Sequence, residues 1–173
     1  MKLVERHRYN KDKEIFQTRT LSFEPYNYSE NNMVLVMGLI RKNLTPDLLT
    51  PKYRSENLTN PTFGHCYHAS QALFYLMDTD KLVPMSAIDY RGDHHWWLQD
   101  DSKIYDITSD QYYTVGKLPP HDKGKQSKWY GWQGRPHQRS LNLIVRVLGD
   151  KVTDTVTVPK LACGSSGGLD TFF

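Results

Sequence analysis

The chain has 173 residues, of which 38% are hydrophobic and 12% are aromatic, and its formal net charge is +3. This length suits one domain with a sizeable core, and no stretch approaches the roughly 18 apolar residues of a membrane-spanning helix. Because two cysteines are too few for a disulfide framework and the charged N-terminus is unlike a secretory signal, we expect a cytoplasmic protein.

The first third of the chain predicts strands followed by helices. Residues 1–29 are polar and rich in tyrosine without a steady period, which indicates one or two strands joined by loops. Residues 30–43 carry apolar side chains at helical spacing and predict a helix. Pro46 marks the start of a short second helix, which we expect to end near Pro51. Residues 54–63 are then expected to form a polar loop.

The next predicted helix runs from Cys66 to Met77, because small and apolar residues recur along one face. Cys66 lies in its first turn, where unpaired backbone N–H groups and the positive end of the helix dipole favour a thiolate. Gly64, just before it, allows a tight turn and the close approach of a substrate. The sequence therefore predicts a reactive thiol at a helix N-terminus.

Three strands are predicted next, over residues 85–90, 94–99 and 103–107. We expect the last two to form a hairpin that pairs Gln99 with Ile104, because turn-forming residues separate them. In that register the side chains of His95 and Asp106 share one face of the sheet and lie within hydrogen-bonding reach. His94 then lies on the opposite face.

The last third of the chain predicts a loop, a helix and a strand. Residues 112–135 indicate a long functional loop, since such a length is uncommon in a compact domain. A helix is predicted to begin at Pro136 and to end at Gly149. Residues 151–173 predict a strand followed by a flexible tail rich in glycine and serine. We therefore expect one α+β catalytic domain over residues 1–150, followed by this C-terminal segment.

Cys66, His95 and Asp106 together have the chemistry of an activated cysteine nucleophile. Each residue alone has an ordinary structural explanation: a buried thiol, a histidine on a strand beside aromatic residues, or an acid that caps the backbone at a strand end. The hairpin register favours the catalytic interpretation, because it brings the imidazole and the carboxylate together.

The order of a cysteine on a helix, a histidine on a strand and an aspartate on the next strand resembles the papain-like superfamily. The short separations are more similar to its transglutaminase-like branch. The resemblance implies an α+β fold in which N-terminal helices precede a catalytic helix that packs on a small antiparallel sheet. It implies that Cys66 is the nucleophile, with its backbone N–H in an oxyanion hole. His95 would be the base and later the acid, and Asp106 would orient its ring.

Four segments also resemble a group of uncharacterised bacterial and phage proteins. This second resemblance covers about residues 45–148 and supplies no activity. If the chain is encoded by a phage, the cytoplasm concerned is that of the host. The four segments are residues 64–70, 95–98, 105–112 and 135–140.

The resemblance also directs attention to the walls of the site. The papain pattern has a glutamine before the cysteine as a second oxyanion donor, and this chain has none there, so Asn60 or Asn57 is expected to replace it. Trp97 is the candidate wall of the site, and Gln111 and Tyr112 are expected to pack against the site. The predicted substrate-binding residues are Gly64, Asn60, Trp97, Gln111 and Tyr112.

The predicted function is that of a cysteine-dependent hydrolase or acyltransferase acting on a protein or peptide-like amide, with no cofactor. One alternative is a non-catalytic protein that uses the basic region 117–149 to bind nucleic acid or a host protein. That region carries about +6 and includes Trp129 and Tyr130, while the rest of the chain carries about −3. Nucleic acid is the less favoured partner, because a solvated loop also explains such a composition.

The second alternative is a zinc-dependent hydrolase, since His65 and His68 lie beside Cys66, and His94 and His95 are adjacent. The chain lacks a Cys-x-x-Cys pair and a His-Glu-x-x-His motif, and we assign no metal ligand. The substrate, the choice between hydrolysis and transfer, and the oligomeric state stay open from sequence alone.

Overall fold

The computed structural model describes residues 1–101 and 103–159. It is a mixed α+β structure, as the sequence predicts, and its sheets are mainly antiparallel. Within the described ranges, no helix is both long enough and apolar enough to cross a membrane. The predicted flexible tail falls largely on residues 160–173, which lie outside the described residues.

Three strands, three α-helices and four strands follow one another before the chain reaches α4. The helices are α1 (Glu30–Lys42), α2 (Pro51–Asn57), α3 (Cys66–Leu76), α4 (Asp110–Tyr113) and α5 (Gln138–Leu148). The strands are β1 (Lys2–Asn10), β2 (Ile15–Phe23), β3 (Tyr26–Asn27), β4 (Met77–Asp78), β5 (Val83–Ile88), β6 (His94–Asp100), β7 (Lys103–Tyr105), β8 (Lys125–Gln126) and β9 (Val152–Thr157). Short 3₁₀ helices span Pro46–Leu48, His121–Lys123, Tyr130–Trp132 and Gly149–Lys151.

The strands form three sheets. One is antiparallel with the order β1-β2-β9, one is antiparallel with the order β7-β6-β5-β8, and β3 and β4 form a short parallel pair. The register predicted for the β6–β7 hairpin is confirmed, because Gln99 pairs with Ile104. The C-terminal strand is also present, and it pairs along β2.

Helix α3 lies at the centre of the fold and packs against α1, α5 and β6. Its apolar face, including Leu73 and Leu76, is fully buried. The hydroxyl of Ser70 donates to the backbone carbonyl of Trp96 at 3.1 Å, which joins α3 to β6. Because Cys66 is the first residue of α3, this packing fixes the thiol beside the start of β6.

Two expectations for the first half of the chain are wrong. The chain begins with the β1–β2 hairpin, so the helices before α3 are not N-terminal. The short helix expected at Pro46 is present as the 3₁₀ helix Pro46–Leu48, and it ends before Pro51 as predicted. Pro51 itself begins α2, because proline has no N–H to satisfy and suits the first helical position. Helix α2 runs to Asn57, so the second wrong expectation is the loop at 54–63, which is helical over its first four residues.

Candidate active site

The thiol of Cys66 opens into a cavity of about 350 Å³ at the N-terminus of α3. Cys66 is half-buried, and its Sγ lies 3.8 Å from the carbonyl oxygen of His94 at the start of β6. No side chain caps the N-terminus of α3, so the backbone N–H groups of its first turn have no partner from a capping side chain. The cavity is lined by Tyr53, Phe63, Gly64, Cys66, Tyr67, His68, Asp89, Asp93, His94, Trp96, Gln111, Tyr112 and Arg139.

The imidazole of His95 and the carboxylate of Asp106 form the hydrogen bond that the hairpin register predicts. His95 Nε2 lies 2.6 Å from Asp106 Oδ2. Both side chains are almost wholly buried, with 1% and 3% of their surface exposed. Asp106 follows the last residue of β7, and its Oδ1 accepts the backbone N–H of Thr108 at 3.1 Å. The carboxylate is therefore held from both oxygens.

A third side chain, His121, completes this cluster and was not singled out in the sequence. Its Nε2 lies 2.7 Å from the same Oδ2 of Asp106. His121 belongs to a 3₁₀ helix within the long loop 112–135, and no motif or periodicity relates it to the β6–β7 hairpin. The loop reaches the site only through tertiary packing, so local pattern could not have placed it there.

The carboxylate of Asp106 and the imidazole of His95 each favour the charged form of the other. Burial raises the pKa of Asp106, but the hydrogen bonds from His121 and His95 outweigh it and hold that pKa below its usual value. Burial also lowers the pKa of His95, but Asp106 and then Cys66 reverse the effect and raise it to about 10. Since Cys66 contributes to this rise, the thiol lies within electrostatic range of the ring. The site therefore stabilises a charged imidazole between the thiol and the carboxylate.

The two ring nitrogens of His95 have different surroundings. If Nε2 carries the proton that it shares with Asp106, the neutral ring keeps an unprotonated Nδ1. Nδ1 is buried and makes no aligned hydrogen bond. The ring of Tyr112 packs edge-on against the imidazole, with centroids 4.8 Å apart. Asp106 and Tyr112 thus hold the ring and leave Nδ1 without a hydrogen-bond partner.

Three atoms of this cluster also lie in an arrangement that a metal ion could use. One ligand atom each from His95, Asp106 and His121 fall within 4.8 Å of one another. Bonds of about 2.0 Å to a tetrahedral zinc ion would separate its ligand atoms by about 3.3 Å. The observed separations of 2.6 and 2.7 Å are those of direct hydrogen bonds. His65 is the N-cap of α3 and His68 lies within that helix, and both are buried. Burial is the main reason why their pKa values fall to about 4 and about 3.

The two tryptophans of β6 have the opposite roles to those expected. Trp97 shares the face of His95, as the register requires, but it is fully buried and does not line the cavity. The reason lies in the loop that follows His121: Gly124 packs on the indole so closely that a Cβ there would lie 2.5 Å from Trp97 Cζ2. Trp96, on the other face, forms the cavity wall instead.

The asparagines expected to supply a second oxyanion donor are occupied elsewhere. Asn60 Nδ2 donates to the carbonyl of Gln111 at 2.8 Å, and Asn57 Nδ2 donates to the carbonyls of Pro61 and Phe63. Both residues are buried, and neither lines the cavity. They hold the chain before α3 in place, so the assignment of Asn60 to substrate binding is wrong.

The other predicted wall residues do line the cavity. Gln111 is buried, and its Nε2 donates to the carbonyl and hydroxyl oxygens of Thr108, each at 3.0 Å. The hydroxyl of Tyr112 donates to Asp89 Oδ2 at 2.9 Å. Gly64 has a φ of +83°, and a Cβ there would meet Leu49 at 3.0 Å. These contacts make a fixed wall around the thiol.

Comparison with known proteins gives no assignment for this site. No protein-family model, curated protein or solved structure matches the chain. The function must therefore be inferred from the chemistry of the residues.

Proposed function

We propose that the protein is a cysteine-dependent hydrolase or acyltransferase that acts on an amide or related acyl bond. The observation that carries this proposal is the buried 2.6 Å bond between His95 and Asp106, located beside a thiol at the uncapped start of α3. A structural histidine has no need of a buried anionic partner together with an adjacent thiol, whereas a general base needs both.

In the proposed reaction, the proton of Cys66 passes to His95 Nδ1 before the attack, because the raised pKa of His95 favours the charged ring. The sulfur, left as a thiolate, then attacks the substrate carbonyl. The carbonyl oxygen becomes an oxyanion, for which the backbone N–H of Cys66 is the available donor. The charged ring then gives its proton to the leaving amine, and a thioester to Cys66 forms as the C–N bond breaks. Water or an acceptor amine, deprotonated by His95, next attacks the thioester and releases the thiol.

The same order of elements supports a papain-like or transglutaminase-like fold as part of this proposal. Helix α3 brings the cysteine, β6 the histidine, and the end of β7 the aspartate. The proposed substrate is a protein or peptide-like amide, because the cavity combines aromatic walls with Asp89, Asp93 and Arg139. A free thiol nucleophile requires a reducing compartment, so we place the protein in the cytoplasm, or in that of the host if a phage encodes it.

The test is the detection of a covalent acyl-enzyme. The protein would be mixed with a panel of activated esters and peptide amides, and the intact mass would be followed over time. We expect a mass increase on the peptide that contains Cys66, followed by its loss to water or to an added amine. Cys66→Ser and His95→Ala should form no thioester. His94→Ala is the matched control, since its side chain lies on the other face of β6.

Acylation of other residues at the same rate, or acylation of Cys66 that survives His95→Ala in a folded variant, would contradict the proposal. Either result would show that the thiol reacts without the base. The protein would then be better described as a binding protein with an accessible cysteine.

A further inference from the structure

A second cavity of about 490 Å³ adjoins the thiol cavity. The two cavities share Tyr67 and Trp96, whose rings form a common wall with centroids 5.1 Å apart. Its residues come from β1, α3, β6 and the segment before α5, so the fold adds Arg6, Tyr67 and Trp96 to residues of the basic region 117–149. The remaining lining residues are Arg6, Trp129, Tyr130, Arg135 and His137.

This cavity carries positive charge that no acidic side chain balances. Arg6 and Arg135 form no ion pair with any residue of the described chain, whereas Arg19, Arg41, Arg91 and Arg146 each pair with a carboxylate. The Nε of Arg6 is buried without a hydrogen-bond partner. Its Nη1 makes only a long 3.5 Å contact with the carbonyl of Pro136.

The start of α5 adds to this positive field. His137 is the N-cap of α5, and its Nδ1 accepts the backbone N–H of Arg139 at 3.1 Å. Burial first, and then Arg6 and Arg139, lower the pKa of His137 to about 4. The ring is therefore neutral at ordinary pH, and the arginines and the helix N-terminus provide the attraction for an anion.

Two large aromatic side chains stand open to solvent at the rim of the same cavity. Trp129 and Tyr130 are 51% and 52% exposed, and their ring centroids lie 4.2 Å apart. Exposed rings beside unpaired arginines are how proteins stack a base and hold the phosphate attached to it. An acidic peptide would satisfy the arginines but would leave these rings without a partner.

We propose that this cavity is a binding site for a nucleotide unit, with the base stacked on Trp129 or Tyr130 and the phosphate held by Arg6 and Arg135. A free nucleotide and a single-stranded nucleic acid share this chemistry. The site is next to the thiol, but binding does not depend on the proposed reaction. It can be measured in the Cys66→Ala variant, so failure of one proposal leaves the other testable.

The experiment measures binding of a fluorescently labelled short oligothymidylate and of uridine monophosphate to the full chain, by anisotropy and by tryptophan fluorescence. Trp129→Ala should weaken binding of the oligonucleotide by about 5- to 150-fold, the usual range for loss of one stacked base. Arg6→Ala and Arg135→Ala should each reduce the slope of log affinity against log salt by about 0.7. Tyr113→Ala and Arg8→Ala are matched controls, because both residues are exposed and lie outside the cavity.

Each outcome bears on the proposal. Comparable affinities for the mononucleotide and the oligonucleotide identify free nucleotides as the ligand, and much tighter binding of the oligonucleotide identifies a single strand. No binding of either probe at about 50 mM salt would overturn the proposal. So would equal effects of the control and test variants, or equally tight binding of polyglutamate, since general charge attraction would then explain the result.

Discussion

Replacing Asp106 with asparagine removes one negative charge and keeps the shape of the side chain. In the structure that charge faces His95 and His121, through hydrogen bonds of 2.6 and 2.7 Å to a single oxygen. The amide oxygen could still accept a hydrogen bond from one ring, but it could not balance the charge of His95. We therefore expect the pKa of His95 to fall and the reactivity of Cys66 near neutral pH to fall with it.

The size of the effect follows from the pKa of His95, which is about 10 against an ordinary 6.5. Since one pKa unit corresponds to about 1.4 kcal/mol, the surroundings stabilise the charged ring by a net amount of roughly 5 kcal/mol. Burial opposes this rise, and Asp106 contributes more to it than Cys66 does. Asp106 therefore accounts for at least half of the net effect, so its loss should cost about 2 to 3 kcal/mol or more, a change of at least roughly 30-fold in the charged pair.

The assay is the rate of alkylation of Cys66 by iodoacetamide, measured by peptide mass spectrometry from about pH 5 to about pH 10 in a Cys163→Ser background. Wild type should react faster than glutathione near pH 6, and Asp106→Asn should lose that advantage. Asp101→Asn is the matched control, because it makes the same change in the exposed β6–β7 turn. A folded Asp106→Asn variant with the wild-type profile would refute the role given to the carboxylate.

Four further results are expected. His95→Ala should abolish the alkylation advantage of the thiol, while His94→Ala should retain most of it. The pKa of His95 is raised from about 6.5 in the unfolded chain to about 10 in the folded protein, so the charged ring stabilises the fold fully below about pH 6.5 and no longer does so above about pH 10. The free energy of unfolding in urea should therefore fall between these two pH values in wild type, relative to His95→Ala. Gly64→Ala should lower the free energy of unfolding by about 1 to 3 kcal/mol, and by more than Gly92→Ala, whose φ of +85° is similar but whose surroundings are open. Metal analysis of the purified protein should find well below one zinc per chain, and a stoichiometric ion lost in Asp106→Asn would contradict the hydrogen-bonded cluster.

Local pattern was sufficient for the part of the site that lies on consecutive elements. Helical periodicity placed Cys66 at the first residue of α3, where the structure has it. Strand alternation and a short turn placed His95 and Asp106 on one face, and the predicted pairing of Gln99 with Ile104 is present. Over these few residues the geometry is dictated by the backbone, so the sequence alone determines which side chains meet.

The remainder of the site depends on which segments cover each face of the sheet, and local pattern carries no such information. Alternation required Trp96 and Trp97 to lie on opposite faces, but it could not show that the loop with Gly124 buries Trp97. The exposed wall was therefore assigned to the wrong indole. In the same way, Asn60 was available as a donor in the sequence, and only the position of α4 shows that the carbonyl of Gln111 uses it.

The loop before β8 does more than cover a hydrophobic ring. It is fixed at three points: His121 bonds to Asp106, Gly124 packs on Trp97, and β8 pairs with β5. Together these contacts close the sheet face that carries His95 and exclude water from the imidazole–carboxylate pair. In that dry environment the attraction between the two groups is stronger than it would be at an exposed surface. Tyr112 packs edge-on against the imidazole and also lines the thiol cavity. Under the proposed function, the covered face would therefore supply the electrostatic support and the cavity would supply access for the substrate.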